Sequence, residues 1–224
     1  MFTIKICGIT AVEDARAVAQ AGADAVGLNF YARSPRCVTP SEARAILAVL
    51  PPEVVKVGVF VDTAAAAITE IFDQLGLDLI QLHGDQPPEF LPQLGGRPVM
   101  RAFRIGRAGL APIVRYLHAC DGMSCAPQLV LFDYYSESTF GGTGEVVDKM
   151  LIDEYHLKMD RSCVVLAGGL TPSNVAYAIR TLRPAAVDTA SGVEISPGKK
   201  DPAAVAAFVQ AARAALAEIA RNQP

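Results

Sequence analysis

The chain has 224 residues, 51% of them hydrophobic, and 20 basic residues against 23 acidic ones give a net charge of −3. A chain of this length can bury a large core without disulfide or metal staples. The nearly balanced charge excludes the electrostatic footprint expected of a protein that binds nucleic acid or an anionic membrane. We therefore expect a small-molecule ligand whose anionic groups are held locally.

Targeting and cross-linking signals are missing from the sequence. The opening segment MFTIKICGIT has neither a long apolar core nor a cleavage signal, and no uninterrupted apolar run approaches the ~18 residues of a membrane span. A cytoplasmic protein with no membrane partner is predicted. The cysteines are odd in number and lack zinc spacing, so neither disulfides nor a metal is expected. They are Cys7, Cys37, Cys120, Cys125 and Cys163.

Apolar runs of strand length alternate along the chain with segments of helical periodicity. The predicted strands are residues 3–7, 24–30, 54–61, 77–82, 98–104, 128–133, 164–167 and 185–188. The predicted helices are residues 10–22, 39–50, a segment through 68–75, a short proline-rich 85–94, a segment through 113–117, a segment within 146–157, one opening at 171, and 205–219. Eight strand-then-helix units in regular alternation predict an α/β fold, a single-domain (β/α)8 TIM barrel over residues 1–224.

Three threonines are predicted to begin helices. Thr10 and Thr39 each have a glutamate three residues later, which is the pattern of a capping box. Thr39 and Thr171 each precede a proline, a residue favoured at the first helical position.

The last two predicted strands are each followed by a glycine-bearing turn. In (β/α)8 barrels these two loops form the phosphate site, where glycine lets an anion approach backbone N–H groups closely. We therefore predict that Gly168, Gly169, Ser191 and Gly192 bind phosphate. Taken singly, such glycines are more often ordinary turn residues.

Reactive groups in such a barrel lie at the carboxyl ends of strands. Cys7 ends the first predicted strand and Asp133 the sixth, so barrel closure places them on either side of the phosphate loops. Strand alternation puts Lys5 on the face of Cys7. Cys7 could instead be a small buried hydrophobe, and Asp133 could be a structural cap or ion-pair partner. Lys5 could pair with Asp188.

Several segments together closely resemble the phosphoribosylanthranilate isomerase family of tryptophan biosynthesis. They occur in the expected order over essentially the whole chain. They are KICGIT (5–10), Asn29-Phe30 with Ser34-Pro35-Arg36, VGVF (57–60), QLHG (81–84), GGTG (141–144), LAGGL (166–170), and SGVE (191–194) through PGKKD (197–201). Two segments depart from the family pattern, Thr189-Ala190 and residues 145–149.

The resemblance implies an Amadori rearrangement of N-(5-phosphoribosyl)anthranilate, with Asp133 as general acid, Cys7 as general base and no metal or organic cofactor. Asp133 must then hold its proton, whereas something must lower the pKa of Cys7 from about 8.5. The resemblance also implies that Arg36 binds the anthranilate carboxylate, which a guanidinium fork matches.

The remaining polar residues are interpreted more simply. His83 and Asp188 are candidates for substrate binding, although a packed, hydrogen-bonded His83 is favoured. Glu194 and the pair Lys199-Lys200 are interpreted as solvated charges, and residues 141–144 as a loop that closes over the site.

Rival functions remain open. One is another phosphosugar barrel, such as indole-glycerol-phosphate synthase, which is not expected to end strand 1 with cysteine. A relative acting also on the histidine-pathway substrate is expected to have aspartate there. A third is a phosphosugar-binding module without catalysis, which has no need of Cys7 and Asp133. Oligomeric state is left undetermined.

Overall fold

The structure is a computed structural model that describes residues 2–105, 109–134, 155 and 164–221. The strands are β1 Ile4–Cys7, β2 Ala25–Asn29, β3 Val55–Phe60, β4 Leu79–Leu82, β5 Val99–Ile105, β6 Leu129–Tyr134, β7 Val164–Ala167, β8 Ala186–Thr189, β9 Glu194–Ser196 and β10 Lys199–Lys200. The helices are α1 Val12–Gln20, α2 Pro40–Leu47, α3 Ala65–Leu75, α4 Ala111–Gly122, α5 Val175–Leu182 and α6 Pro202–Arg221, with a 3-10 helix at Pro88–Leu94.

Strands β1 to β8 form a closed parallel barrel, because β8 also pairs with β1, with Lys5 opposite Asp188. Alternate side chains on each strand fill either the barrel interior, as Met100 and Leu131 do, or the layer between strands and helices, as Val130 and Phe132 do. Burial on both faces explains why the strands are almost continuously apolar. The predicted (β/α)8 fold is confirmed.

One predicted helix start is confirmed and two are wrong. Thr39 forms the full capping box with Glu42, followed by Pro40. Thr10 does not cap α1, because its hydroxyl instead donates to the carbonyl of Gly198, 2.5 Å away. Thr171 does not begin α5, which starts at Val175: the hydroxyl of Thr171 lies 2.9 Å from that of Ser173, and its N–H donates to the side chain of Asn174 at 2.8 Å.

Helix α6 is long and apolar enough, by length and composition alone, to cross a membrane. Gln210, Arg213 and Glu218 interrupt its apolar residues, so the helix contains no continuous apolar run of membrane-spanning length. It buries one apolar face at Val205, Phe208, Val209 and Ala212, within the predicted helix 205–219. This face packs on α1, α5 and β1, as a helix of the barrel's outer layer does.

Three expectations fall outside the described residues. They are the closing loop 141–144, the cysteine at 163 and, apart from Tyr155, the helix within 146–157. Tyr155 is buried and packs edge-on against Phe132, with ring centroids 5.1 Å apart.

Candidate active site

A cavity of about 310 Å³ lies at the carboxyl ends of the barrel strands. Nearly all the residues predicted to form the site line it, and Gly192 follows directly on one of them. The predicted residues in its wall are Cys7, Arg36, His83, Asp133, Gly168, Gly169, Asp188 and Ser191. A larger cavity of about 900 Å³ shares Asn29, Val59, His83 and Asp133 with it.

The two predicted phosphate loops pack directly on each other. Gly168 and Gly169 have φ of 86° and 62°, a left-handed conformation that favours glycine. A Cβ on Gly192 would lie 1.9 Å from the carbonyl oxygen of Leu170, so only glycine allows this approach. The hydroxyl of Thr189 also donates to that carbonyl at 2.7 Å. The loops after β7 and β8 therefore form one continuous wall of the cavity.

Lys5 lies in the barrel interior with no exposed surface, and its Nζ is 2.9 Å from Oδ2 of Asp188. Burial by itself would lower the pKa of Lys5, but Asp188 and Cys7 outweigh this effect and raise it. A Cβ added to Gly27 would lie 2.7 Å from Sγ of Cys7 and 3.0 Å from Nζ of Lys5, so these two atoms lie close to each other. Both expectations for Lys5 are therefore met: its ammonium group pairs with Asp188 and also lies near the thiol of Cys7.

The pKa of Cys7 is not lowered, contrary to what is expected for a general base. Burial raises the pKa of its thiol above the ordinary value, and the nearby charges of Lys5 and Lys200 lower it without reversing the shift. In the unliganded protein Cys7 is therefore held as a thiol at neutral pH.

Asp133, which is about a quarter exposed, contacts a histidine. Its Oδ2 lies 3.1 Å from Nε2 of His83, and Nδ1 of His83 lies 3.3 Å from Nε2 of Gln81. His83 is thus hydrogen-bonded, as favoured from the sequence, but its partner is the candidate acid and it also lines the cavity.

The interpretation of Glu194 and Lys200 as solvated charges is wrong. Their side chains are 4% and 0% exposed, and Lys200 Nζ is 2.7 Å from Oε1 of Glu194. The same carboxylate accepts from Nε of Arg36 at 2.8 Å and Nη2 at 2.5 Å. Burial would raise the pKa of Glu194, but its bonds to Arg36 and Lys200 outweigh burial and lower it.

A signal for this cluster was present in the sequence. Pro197-Gly198 is a turn dipeptide between two short segments. It forms an antiparallel hairpin that places Glu194 opposite Lys200. The turn brings Glu194 and Lys200 together, which neither residue indicates by itself.

Among the described residues, no group of three or more His, Cys, Asp or Glu side chains could hold a metal ion. The polar groups that line the cavity are instead a thiol, two carboxyl groups, an imidazole, a guanidinium and backbone amides. This set can transfer protons and bind anions.

Comparison with known proteins identifies what this arrangement resembles. Residues 4–211 match the family model described as N-(5'phosphoribosyl)anthranilate (PRA) isomerase. The chain is 48% identical to the N-(5'-phosphoribosyl)anthranilate isomerase of Pseudomonas fluorescens (strain Pf0-1), over 93% of this chain and 97% of that one. It is 44% identical to that of Trichlorobacter lovleyi, over 96% of this chain and 100% of that one.

Solved structures agree. The crystal structure of phosphoribosyl anthranilate isomerase from Thermotoga maritima superimposes with a TM-score of 0.82 at 38% identity, covering 96% of this chain and 100% of that one. A structure of such an isomerase in complex with reduced 1-(o-carboxyphenylamino)-1-deoxyribulose 5-phosphate has a TM-score of 0.80 at 37% identity, with the same coverage.

Proposed function

This chain belongs to the N-(5'-phosphoribosyl)anthranilate isomerase family of tryptophan biosynthesis, and we propose that its Amadori rearrangement uses Asp133 as general acid and Cys7 as general base. The substrate is N-(5'-phosphoribosyl)anthranilate, and the product is 1-(2-carboxyphenylamino)-1-deoxyribulose 5-phosphate. One observation carries the residue assignment: Cys7 and Asp133 line the same cavity, together with the two glycine loops.

The phosphate group is the proposed anchor. Gly168, Gly169, Ser191 and Gly192 supply backbone N–H groups in two loops that pack on each other, and glycine permits close approach. A phosphate held there leaves the ribose to extend over the barrel mouth toward Cys7 and Asp133.

Ring opening is the first chemical step. Asp133 gives its proton to the furanose oxygen as the bond from C1 to that oxygen breaks, and the nitrogen lone pair forms the C=N bond of a protonated Schiff base. His83, 3.1 Å from Asp133, is placed to orient the carboxyl group. Asp188, paired with Lys5, is proposed to face the ribose hydroxyls.

The second step moves a proton from carbon. The thiolate of Cys7 removes the C2 proton, the C–H electrons form the C1=C2 bond, and the nitrogen regains its lone pair. The resulting enolamine gains a proton at C1 and loses one from the C2 hydroxyl, which gives the ketone. The positive Schiff base lies beside the thiol, and a nearby cation favours the thiolate. We therefore assign deprotonation of Cys7 to the substrate complex, where the thiol proton passes to solvent, since burial keeps Cys7 a thiol beforehand.

Arg36 is proposed to bind the anthranilate carboxylate. Because the family's substrate is a soluble phosphorylated metabolite, we place the enzyme in the cytoplasm.

No metal or organic cofactor is proposed to take part. Exhaustive chelation is expected to leave turnover unchanged. Activity lost on chelation and restored by a metal ion would contradict the absence of a metal.

Turnover of substrate generated in situ tests the acid and base assignment. General acid or base catalysis is typically worth ~10²–10⁴-fold each, so Cys7→Ser and Asp133→Asn should each lower kcat at least that much. Both should still bind the reduced product analogue. Cys37→Ser, the matched cysteine control, should keep parental kcat. Near-parental turnover by Cys7→Ser would remove the thiol from the mechanism, and parental turnover by Asp133→Asn would remove the acid.

A further inference from the structure

The guanidinium of Arg36 is held along one edge. Nε and Nη2 both donate to Glu194, at 2.8 Å and 2.5 Å. A guanidinium has donors on three nitrogens, so Nη1 and the second N–H of Nη2 form an outer fork. Arg36 lines the cavity and its side chain is 22% exposed. The outer fork is the edge available to a ligand.

The stem of Arg36 is also held. A Cβ on Gly8 would lie 2.5 Å from Cδ of Arg36, so the arginine side chain crosses directly over the glycine that follows β1. Gly8 has φ of 74°, which also favours glycine. The side chain is therefore constrained at its methylene groups by the β1 loop and at its head by Glu194.

Glu194 creates an electrostatic difficulty that Lys200 removes. An arginine paired with one carboxylate is locally neutral and attracts a second carboxylate weakly. Lys200 Nζ lies 2.7 Å from Oε1 of Glu194 and 3.1 Å from the carbonyl oxygen of Ala190. The side chains of Arg36, Glu194 and Lys200 together carry one net positive charge, and of the two cations Arg36 is the one that lines the cavity.

We infer that Glu194 and Lys200 are positioning residues for recognition of the substrate carboxylate: Glu194 aims the outer fork of Arg36, and Lys200 offsets the charge of Glu194 so that the fork stays cationic. This inference rests on the proposed role of Arg36. It makes the β9–β10 hairpin, rather than the β2–α2 loop alone, responsible for selecting a ligand that carries an aryl carboxylate.

Two ligands that differ only in that carboxylate separate this role from a general structural one. They are reduced 1-(o-carboxyphenylamino)-1-deoxyribulose 5-phosphate and its counterpart without the carboxyl group, with affinities measured by isothermal titration calorimetry. Inorganic phosphate serves as a third probe, for the intact glycine loops. Circular dichroism checks folding of every variant.

The expected pattern is selective. Arg36→Met removes a charged, forked hydrogen-bond donor, so it should weaken the carboxylated ligand roughly tenfold to a hundredfold and leave the other two ligands unchanged. Glu194→Gln and Lys200→Met should each weaken the carboxylated ligand alone, by about tenfold. Lys200→Met should cost much less in the Glu194→Gln background, because no carboxylate then needs offsetting. Lys199→Met, at the exposed neighbouring position, should change nothing.

Each other outcome is decisive. Equal weakening of both ligands and of phosphate by Glu194→Gln or Lys200→Met would make the hairpin merely structural and overturn the inference. The inference is also overturned if Glu194→Gln and Lys200→Met bind the carboxylated ligand normally while Arg36→Met weakens that ligand alone. If Arg36→Met itself is not selective, the proposed role of Arg36 fails first. Should Lys200→Met not fold, Glu194→Gln alone decides between these results.

Discussion

Nε2 of His83 lies 3.1 Å from Oδ2 of Asp133. Nδ1 of the same ring faces the amide nitrogen of Gln81 at 3.3 Å, and an amide nitrogen can only donate. With Gln81 in this orientation, His83 accepts at Nδ1 and carries its hydrogen on Nε2, which donates to Asp133 when that carboxyl group is ionised. A protonated Asp133 needs the opposite tautomer, which the Gln81 amide can support by turning its oxygen, Oε1, toward Nδ1.

His83→Ala should lower kcat about tenfold to a hundredfold, the worth of a charged hydrogen bond, and so less than Asp133→Asn does. Affinity for the reduced product analogue should stay near parental, because the proposed phosphate and carboxylate sites lie elsewhere. Steady-state kinetics with calorimetry measures both. A loss equal to that of Asp133→Asn would instead make His83 a direct proton donor, and parental kcat would leave the contact without catalytic effect.

The raised pKa of Cys7 can be measured by alkylation. Burial raises the pKa of Cys7 above 9.0, and Lys5 opposes this shift. The rate at which iodoacetamide alkylates Cys7 in the folded protein, followed in the peptide that contains it, should therefore still be rising above pH 9.0. Lys5→Met should move the curve to still higher pH, and Asp188→Asn in that background should move it back, because it removes the carboxylate left unpaired. Lys56→Met serves as control. A parental midpoint below 9.0, or no response to Lys5→Met, would contradict the assignment.

Gly192→Ala tests the contact between the two phosphate loops. The added methyl would lie 1.9 Å from the Leu170 carbonyl oxygen, and backbone must move to accommodate it. Affinity for inorganic phosphate should fall by about tenfold or more. Gly122→Ala adds a methyl that meets no atom within 4 Å beyond its chain neighbours and its own helix backbone, so phosphate binding should be unchanged. Parental affinity in Gly192→Ala would show that these loops do not bind the anion.

Asp24 should make stability depend on acid. Burial would raise its pKa, but hydrogen bonds from Thr3, Ile4 and Arg213 lower it below 3.8. A carboxyl group whose pKa is lower in the folded state stabilises that state above the unfolded pKa and loses this contribution as pH falls through the folded one. Asp24→Asn should therefore lower the free energy of unfolding at pH 7, and the difference should shrink below about pH 3.8.

Urea denaturation across pH measures this difference. Asp85→Asn, at an exposed position, should stay within ~0.5 kcal/mol of the parent at neutral pH. A difference for Asp24→Asn that is the same at pH 7 and at pH 3 would contradict the prediction.

The strands, their order and the family resemblance could be predicted from sequence because their signals are local. Apolar runs such as residues 54–61 differ visibly from helical periodicity, and Thr39-Pro40 with Glu42 has the capping pattern within four residues. The same local rules failed at Thr10 and Thr171. The hydroxyl of Thr10 bonds to the distant carbonyl of Gly198, and the hydroxyl of Thr171 bonds to that of Ser173, so neither caps its helix.

The sequence by itself determined a closed eight-stranded barrel and the positions of Cys7 and Asp133 at strand ends, since strand alternation and barrel closure follow from the pattern of residues along the chain. Only the tertiary structure decided the partners of the charged groups. Lys5 and Asp188 are 183 residues apart, and Arg36 and Glu194 are 158 apart. A charge in a loop, such as Arg36, carries no mark in the sequence of whether it will be solvated or buried. Its environment is settled when distant loops meet, as those after β1, β2 and β8 do around Arg36.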